Sequence, residues 1–139
     1  MFLGKDVLLD ASALVALLDD RDQWHGEATQ AWKPIARRCL TTEPAVVEAA
    51  HLVARRRDKP WKVLQFLLAF DIPVVSAHPV VHEACIPLMQ QYADLPMDYA
   101  DAVQVVLADR LGIRRVFTFD RKGFSRYVGA RGVPFEVIP

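Results

Sequence analysis

Four acidic residues, Asp10, Glu48, Asp101 and Asp120, occupy positions from which distant parts of the chain could deliver carboxylates to one pocket. Asp10 ends the apolar run Val7-Leu8-Leu9, and Asp120 ends Val116-Phe117-Thr118-Phe119. Both read as carboxylates at the C-terminal end of a strand. In an open parallel α/β sheet, ligands bind in the crevice beyond the carboxyl ends of the strands, so these two acids are expected to face the same opening. Glu48 lies inside Ala45-Val46-Val47-Glu48-Ala49-Ala50-His51-Leu52-Val53, a segment so apolar that a lone buried carboxylate is costly unless something pairs with it. Asp98 and Asp101 open a strongly apolar helical stretch and share a face at i, i+3 spacing. Hard divalent cations take oxygen ligands, which makes Mg²⁺ or Mn²⁺ the natural counter-charge for such a set. Two such ions about 3.5–4 Å apart could activate a water and stabilise the leaving oxygen of a phosphodiester displacement. Taken singly, each acid could be a cap, a salt-bridge partner or a solvated charge; their joint placement raises the metal reading.

The elements that must position these acids alternate. Short apolar runs switch with longer helical stretches, the pattern of an α/β chain built on a parallel sheet. Strands are predicted at Asp6–Asp10, Cys39–Thr42, Ile72–Ser76, Arg115–Phe119 and Pro134–Ile138. Helices are predicted at Ser12–Asp19, His25–Arg38, Ala45–Arg57, Trp61–Phe70, Pro79–Tyr92 and Tyr99–Leu111, the last stopped by Gly112, with a further short helical stretch near Gly123. Pro34 removes a backbone donor inside the second helix pattern and predicts a kink or an early end. Asp98 is placed to cap the helix from Tyr99; Asp101 lies inside that helix, where capping does not explain it. Its structural alternative is attraction to the helix's positive N-terminal end.

With 139 residues and 53% hydrophobic content, the chain fits one domain, residues 1–139, with ample material for a core. Its 17 Lys and Arg cancel its 17 Asp and Glu, so net charge does not announce a nucleic-acid partner and local patches must. Cys39 and Cys85 show no Cys-x-x-Cys or pairing pattern and are expected to be buried, reduced thiols. No basic segment followed by an apolar one opens the chain, and no uncharged run approaches the ~20 residues that span a bilayer. The expectation is a soluble, cytoplasmic protein with no membrane partner.

In order and spacing, these segments resemble the PIN-domain family of metal-dependent ribonucleases, in particular the VapC-type toxins of prokaryotic toxin–antitoxin pairs. Leu8-Leu9-Asp10-Ala11-Ser12-Ala13-Leu14 is similar to the family's opening strand and first acid, and Thr41-Thr42-Glu43-Pro44-Ala45-Val46-Val47-Glu48 to its second strand and helical Glu. Asp101-Ala102-Val103-Gln104-Val105-Val106-Leu107-Ala108 resembles its Asp-Ala helix, and Val116-Phe117-Thr118-Phe119-Asp120-Arg121 its strand ending in Thr-x-Asp. The resemblance implies a three-layer α/β/α sandwich with a central, mostly parallel sheet of about five strands. It implies endoribonuclease activity with Mg²⁺ or Mn²⁺ on Asp10, Glu48, Asp101 and Asp120, metal-activated water as the nucleophile, and products carrying a 5′-phosphate and a 3′-hydroxyl. Asp98 matches an accessory ligand position. Ser12 and Thr118 would orient Asp10, Asp120 or a water through their hydroxyls. It implies an RNA substrate, a small cognate antitoxin and a homodimer. Dimerisation also agrees with the helices from His25 to Phe70, which carry more apolar surface than a small sheet can cover.

Arg121, Lys122 and Arg126 follow Asp120 and are the candidates for substrate contact. The denser run Arg55-Arg56-Arg57-Asp58-Lys59-Pro60-Trp61-Lys62 could do the same, although helix ends commonly carry such charges for the macrodipole. Glu43 reads as a mouth or capping residue. Trp24, Trp32 and Trp61 could stack on unpaired bases, with packing favoured for Trp32 and Trp61. All four histidines are left out of the metal set; His78 and His82 lack the intervening Glu of a zinc-protease motif. Competing readings are an RNA-processing nuclease with no antitoxin and a non-catalytic binding module of the same fold. A phosphatase with an aspartyl nucleophile is disfavoured because no second Asp follows Asp10 by two residues.

Overall fold

The computed structural model describes residues 2–139. Five strands, β1 (Val7–Leu9), β2 (Cys39–Thr42), β3 (Val74–Val75), β4 (Arg115–Phe117) and β5 (Glu136–Ile138), form one sheet in the order β3-β2-β1-β4-β5. Every pairing between them is parallel. Between the strands run α1 (Ala11–Leu18), α2 (His25–Trp32), α3 (Glu43–Arg55), α4 (Trp61–Ala69), α5 (Pro79–Gln91), α6 (Tyr99–Leu111) and the single turn α7 (Arg121–Phe124).

Strand alternation sends side chains into two separate cores, one on each face of the sheet. Val7, Leu9, Cys39 and Phe117 face α1 together with Ala49 and Val53 of α3 and Val63 and Leu67 of α4. Leu8, Leu40 and Val116 face Val81 and Cys85 of α5, Val103 and Leu107 of α6, and Phe124 and Tyr127. Helices on both faces of a parallel sheet make the expected α/β/α sandwich, and burial on both faces explains why β1 reads as a continuous apolar run. α6 is buried at Ala100 and from Ala102 to Ala108 because it packs against α5, α3 and β2. Both cysteines are buried and free.

Several boundaries differ from the sequence reading, each for a local reason. The first strand stops at Leu9 because Asp10 already occupies the N-cap position of α1, and the fourth stops at Phe117, leaving Thr118 to Asp120 as a short connection into α7. β3 is cut to Val74–Val75, since the Ile72 amide bonds back to Leu67 at the end of α4. Pro134 lies before β5 and bridges Val128 instead. Pro34 ends α2 at Trp32 and turns Lys33–Ile35 into a 3-10 helix, so no helix reaches Arg38. α3 begins two residues earlier than Ala45 because Thr42 caps it, its hydroxyl accepting the Ala45 amide at 3.3 Å; Glu43 is therefore the first helical residue and Thr42 the cap.

Among the described residues, no helix is long and apolar enough to cross a membrane. Trp32 packs in the core, whereas Trp61 is 55% exposed and lines one face of α4 with Leu64 and Leu68, leaving an apolar row uncovered. Gly112 closes α6 in the left-handed region with φ 70°, and a Cβ there would meet no atom within 4 Å. Gly112→Ala is therefore expected to destabilise the fold by about 1–2 kcal/mol through backbone strain alone. Urea unfolding monitored by circular dichroism checks this, with an unchanged m-value.

Candidate active site

The chain leaves β1 toward β2 and β3 on one side, then returns across to β4 and β5 on the other. This reversal opens a crevice past the C-terminal ends of β1 and β4, where an α/β sheet binds its ligand. Asp10 follows β1 directly and Asp120 follows β4 by way of Thr118 and Phe119, so the topology delivers both acids to that crevice.

Asp10 is buried and held from three directions. Its Oδ2 accepts from the Thr118 hydroxyl at 2.7 Å and the Ser12 hydroxyl at 3.1 Å, and its Oδ1 accepts from the Gln104 amide at 3.3 Å. The same hydroxyls are themselves fixed by backbone donors: the Phe119 amide bonds Ser12 Oγ and the Asp120 amide bonds Thr118 Oγ1, both at 2.9 Å. With their acceptor sides so occupied, the hydroxyl protons turn toward the carboxylate. Burial raises the Asp10 carboxyl above its ordinary range; the Thr118, Ser12 and Ala11 hydrogen bonds oppose this, and Asp120 adds repulsion.

Gln104 was not anticipated. It sits one helical turn after Asp101 on the same face of α6, fully buried, with its Oε1 left without a partner among the described residues. The signal in the sequence was a polar side chain alone within Ala102 to Ala108, which an all-apolar reading of that helix passed over.

At the start of α6, Asp98 and Asp101 form a reciprocal capping box. Asp98 Oδ1 accepts the Asp101 amide at 2.8 Å, and Asp101 Oδ2 accepts the Asp98 amide at 3.3 Å. Capping thus accounts for one oxygen of each, which corrects the expectation that it leaves Asp101 unexplained. The Tyr127 hydroxyl also reaches Asp101 Oδ2, at 3.4 Å. Burial, then repulsion from Asp98 and Asp10, pushes the Asp101 carboxyl up to about 8. Glu48 is an exposed residue of α3; desolvation of its carboxyl, then repulsion from Asp10, Asp98 and Asp120, pushes it up to about 7. Asp120 accepts the Gly123 amide through Oδ1 at 3.4 Å and caps α7.

These acids feel one another, yet among the described residues none of Asp10, Glu48, Asp98, Asp101 or Asp120 has an ion-pair partner. Nor, among the described residues, do three or more His, Cys, Asp or Glu side chains close into a chelating group. Like charges in a poorly solvated cleft push apart, and a divalent cation is the counter-charge that this all-oxygen donor set fits. A cavity of about 640 Å³ lined by Glu43, Glu48, Asp98 and Tyr99 flanks the acids on one side, and a smaller recess containing Ser12 and Asp120 on the other. The recess of about 540 Å³ between α5, α6 and residues 128–131 contains none of them.

The basic candidates separate. Arg121 is ion-paired with Glu27 at 2.7 Å and lies over the rings of Trp24 and Phe119, at 5.2 and 5.3 Å from their centroids. Lys122 and Arg126 are exposed. In the run beyond α3, Arg56 pairs with Asp19 and Asp22 and Lys62 with Asp58, so part of that charge serves the fold. His82 bonds the Tyr99 hydroxyl at 2.8 Å, and His78 is the N-cap residue of α5.

The raised carboxyls make a pH prediction. Glu48 and Asp101, ordinarily near 4.5 and 3.8, hold protons more tightly in the folded chain than in the unfolded one. Their protonated forms therefore contribute stability that is fully present below the unfolded values and lost as pH rises through about 7 to 8. In EDTA, the melting midpoint is expected to fall from about pH 5 to about pH 8, less so in Asp101→Asn, and millimolar Mn²⁺ should restore it at the upper end. Calorimetric scans across pH measure each effect.

Residues 7–130 match the model of the PIN domain family. The chain is 30% identical over 135 residues to Ribonuclease VapC26 of Mycobacterium tuberculosis, covering 96% of this chain and 100% of the relative. The crystal structure of Mycobacterium tuberculosis VapC20, a sarcin–ricin loop cleaving toxin, superposes with a TM-score of 0.78 at 18% identity, over 88% of this chain and 96% of that one. The VapBC2 complex of Rickettsia felis, bound to a DNA fragment from its promoter, gives 0.69 at 12% identity over 96% and 98%. The structural likenesses establish a shared fold; the family match and the sequence identity go further, and this chain belongs to the PIN domain family.

Proposed function

We propose that this chain is a metal-dependent endoribonuclease, the toxin of a VapBC-type toxin–antitoxin pair. The observation that carries the reading is the group of acids around the buried Asp10, mutually repelling and without cationic partners, at the crevice of a PIN fold. The relative named as a ribonuclease and the neighbours solved as toxin–antitoxin complexes support the substrate class and the partner.

Asp10, Glu48, Asp101 and Asp120 would hold Mg²⁺ or Mn²⁺, with the uncommitted oxygen of Asp98 available beside them. A divalent cation there supplies neutralisation of the phosphodiester charge and a lowered pKa for the attacking water. The chain's own residues do the rest. Ser12, Thr118 and Gln104 fix both oxygens of Asp10, so the carboxylate is oriented before substrate arrives. Lys122 and Arg126, and Arg121 through the part of its guanidinium not held by Glu27, contact the phosphate backbone and position the strand without reading its bases. Hydrolysis leaves a 5′-phosphate and a 3′-hydroxyl.

A small antitoxin covering the acids and a homodimer belong to the same proposal. The uncovered row of Trp61, Leu64 and Leu68 on α4 is the apolar surface that a protein partner would bury. Reduced, buried cysteines suit a cytoplasmic setting.

Purified protein is expected to cleave a panel of fluorescent single-stranded RNAs with Mg²⁺ or Mn²⁺ but not with EDTA. Asp10→Asn and Asp101→Asn are each expected to slow cleavage by about a hundredfold or more. Cleavage that persists in EDTA or at full rate in Asp10→Asn would overturn the assigned centre. Absence of cleavage in every metal, together with no effect of expression on growth, would leave a binding module of the same fold.

A further inference from the structure

We propose that the recess beside Asp120 is a subsite for one unpaired nucleobase of the RNA strand, with Trp24 as its stacking wall; this rests on the nuclease reading of the acids. The recess has a volume of about 260 Å³ and is lined by Trp24, Phe119, Leu52, Gln23 and Arg56, with Ser12 and Asp120 shared with the acid site. Its position next to Asp120 means that a base lodged there carries its own phosphate to the carboxylates.

The aromatic surface is already built. Trp24 and Phe119 stack on one another, within 8° of parallel and with centroids 5.4 Å apart, and both line the recess, so two segments of chain build its aromatic wall. Three contacts fix it. The Arg121 guanidinium lies over both rings and is anchored by Glu27. The Trp24 amide bonds Asp22 Oδ1 at 2.8 Å. The Phe119 amide bonds the Ser12 hydroxyl at 2.9 Å, the same hydroxyl that holds Asp10, so the platform and the acid centre move as one unit. Such preorganisation lowers the entropy cost of capturing a base.

The polar lining fits a base and its sugar-phosphate. Arg56 is held by Asp19 at 3.1 Å and Asp22 at 2.7 Å and keeps its remaining donors for an acceptor. Gln23 can both donate to and accept from a base edge. Every base has a π-face, so the stack itself tolerates sequence, and unpaired RNA bases are the ligands that aromatic faces most often take. Trp61, on the exposed face of α4, lines neither recess beside the acids.

The test uses the full chain in EDTA with mixed-sequence octaribonucleotides, and copies carrying an abasic ribose at each position in turn. Binding is read as quenching of tryptophan emission in a Trp61→Phe background and as anisotropy of the labelled RNA. Trp24→Ala is expected to weaken binding about tenfold, and Trp24→Phe by only a few-fold. In the parent, one abasic position should cause a loss similar to that of Trp24→Ala, and in Trp24→Ala the same abasic position should cost little more, because both changes remove one contact. Should Trp24→Ala lose its native circular dichroism, the abasic scan of the parent against Trp24→Phe gives the same comparison. Equal losses at every abasic position in both proteins, or unchanged binding by a folded Trp24→Ala, would overturn the subsite. Metal-dependent cleavage of the same RNAs is scored separately. Cleavage without Trp24-dependent binding overturns the subsite alone, and Trp24-dependent binding without cleavage overturns the nuclease reading alone.

Discussion

The buried carboxylate of Asp10 is the constraint around which this fold closes. A charge taken out of water at the end of a strand must be met by donors, and three separate elements meet it: Ser12 from α1, Thr118 from the segment after β4, and Gln104 from the middle of α6. Those donors lie as far as 108 residues from Asp10 along the chain, so the network also pins the central strands to a helix of the second layer. The backbone amides of Phe119 and Asp120, tied to the same two hydroxyls, extend the constraint into the connection that carries the last acid. Buried polar networks of this kind specify one arrangement when fully satisfied, and in this network Gln104 Oε1 is left without a partner among the described residues.

Around this hub the other acids are under electrostatic load. Glu48 and Asp101 are pushed toward neutrality because burial and neighbouring carboxylates both oppose ionisation. The capping box relieves Asp101 and Asp98 partly, since each carboxylate accepts a backbone amide, but it brings no positive side chain. Two of the basic residues near them are engaged elsewhere: Arg56 with Asp19 and Asp22, Arg121 with Glu27. Favourable packing is thus concentrated in the two cores, while the acids at the crevice go without cationic partners among the described residues.

The aromatic platform beside Asp120 belongs to the same construction. Phe119 is one residue from the acid, and its side chain packs toward Phe117 on one side and Trp24 on the other. The residue that shapes the recess is therefore held by the strand that delivers the carboxylate. Geometry at the acids and geometry at the platform then share one mechanical origin, the end of β4.

Much of the architecture was legible in the one-dimensional pattern. Doubly buried strands must be apolar at every position, and Val7 to Leu9, Cys39 to Leu40 and Val116 to Phe117 are; the stop at Gly112 follows from its left-handed backbone, and the break at Pro34 from its missing amide. The acids at strand and helix ends were legible for the same reason, since a charged residue interrupting an apolar run is visible without knowing its neighbours. Only the tertiary structure decided what each one touches. Gln104 became an Asp10 partner because α6 packs with that turn over β1's end, and Trp24 joined Phe119 although 95 residues separate them, a pairing that no local period encodes. It likewise decided that Trp61 faces solvent and that Arg121 is bound to Glu27. Local chemistry writes the ends of elements; the contacts between elements, set by which faces the sheet buries, write the site.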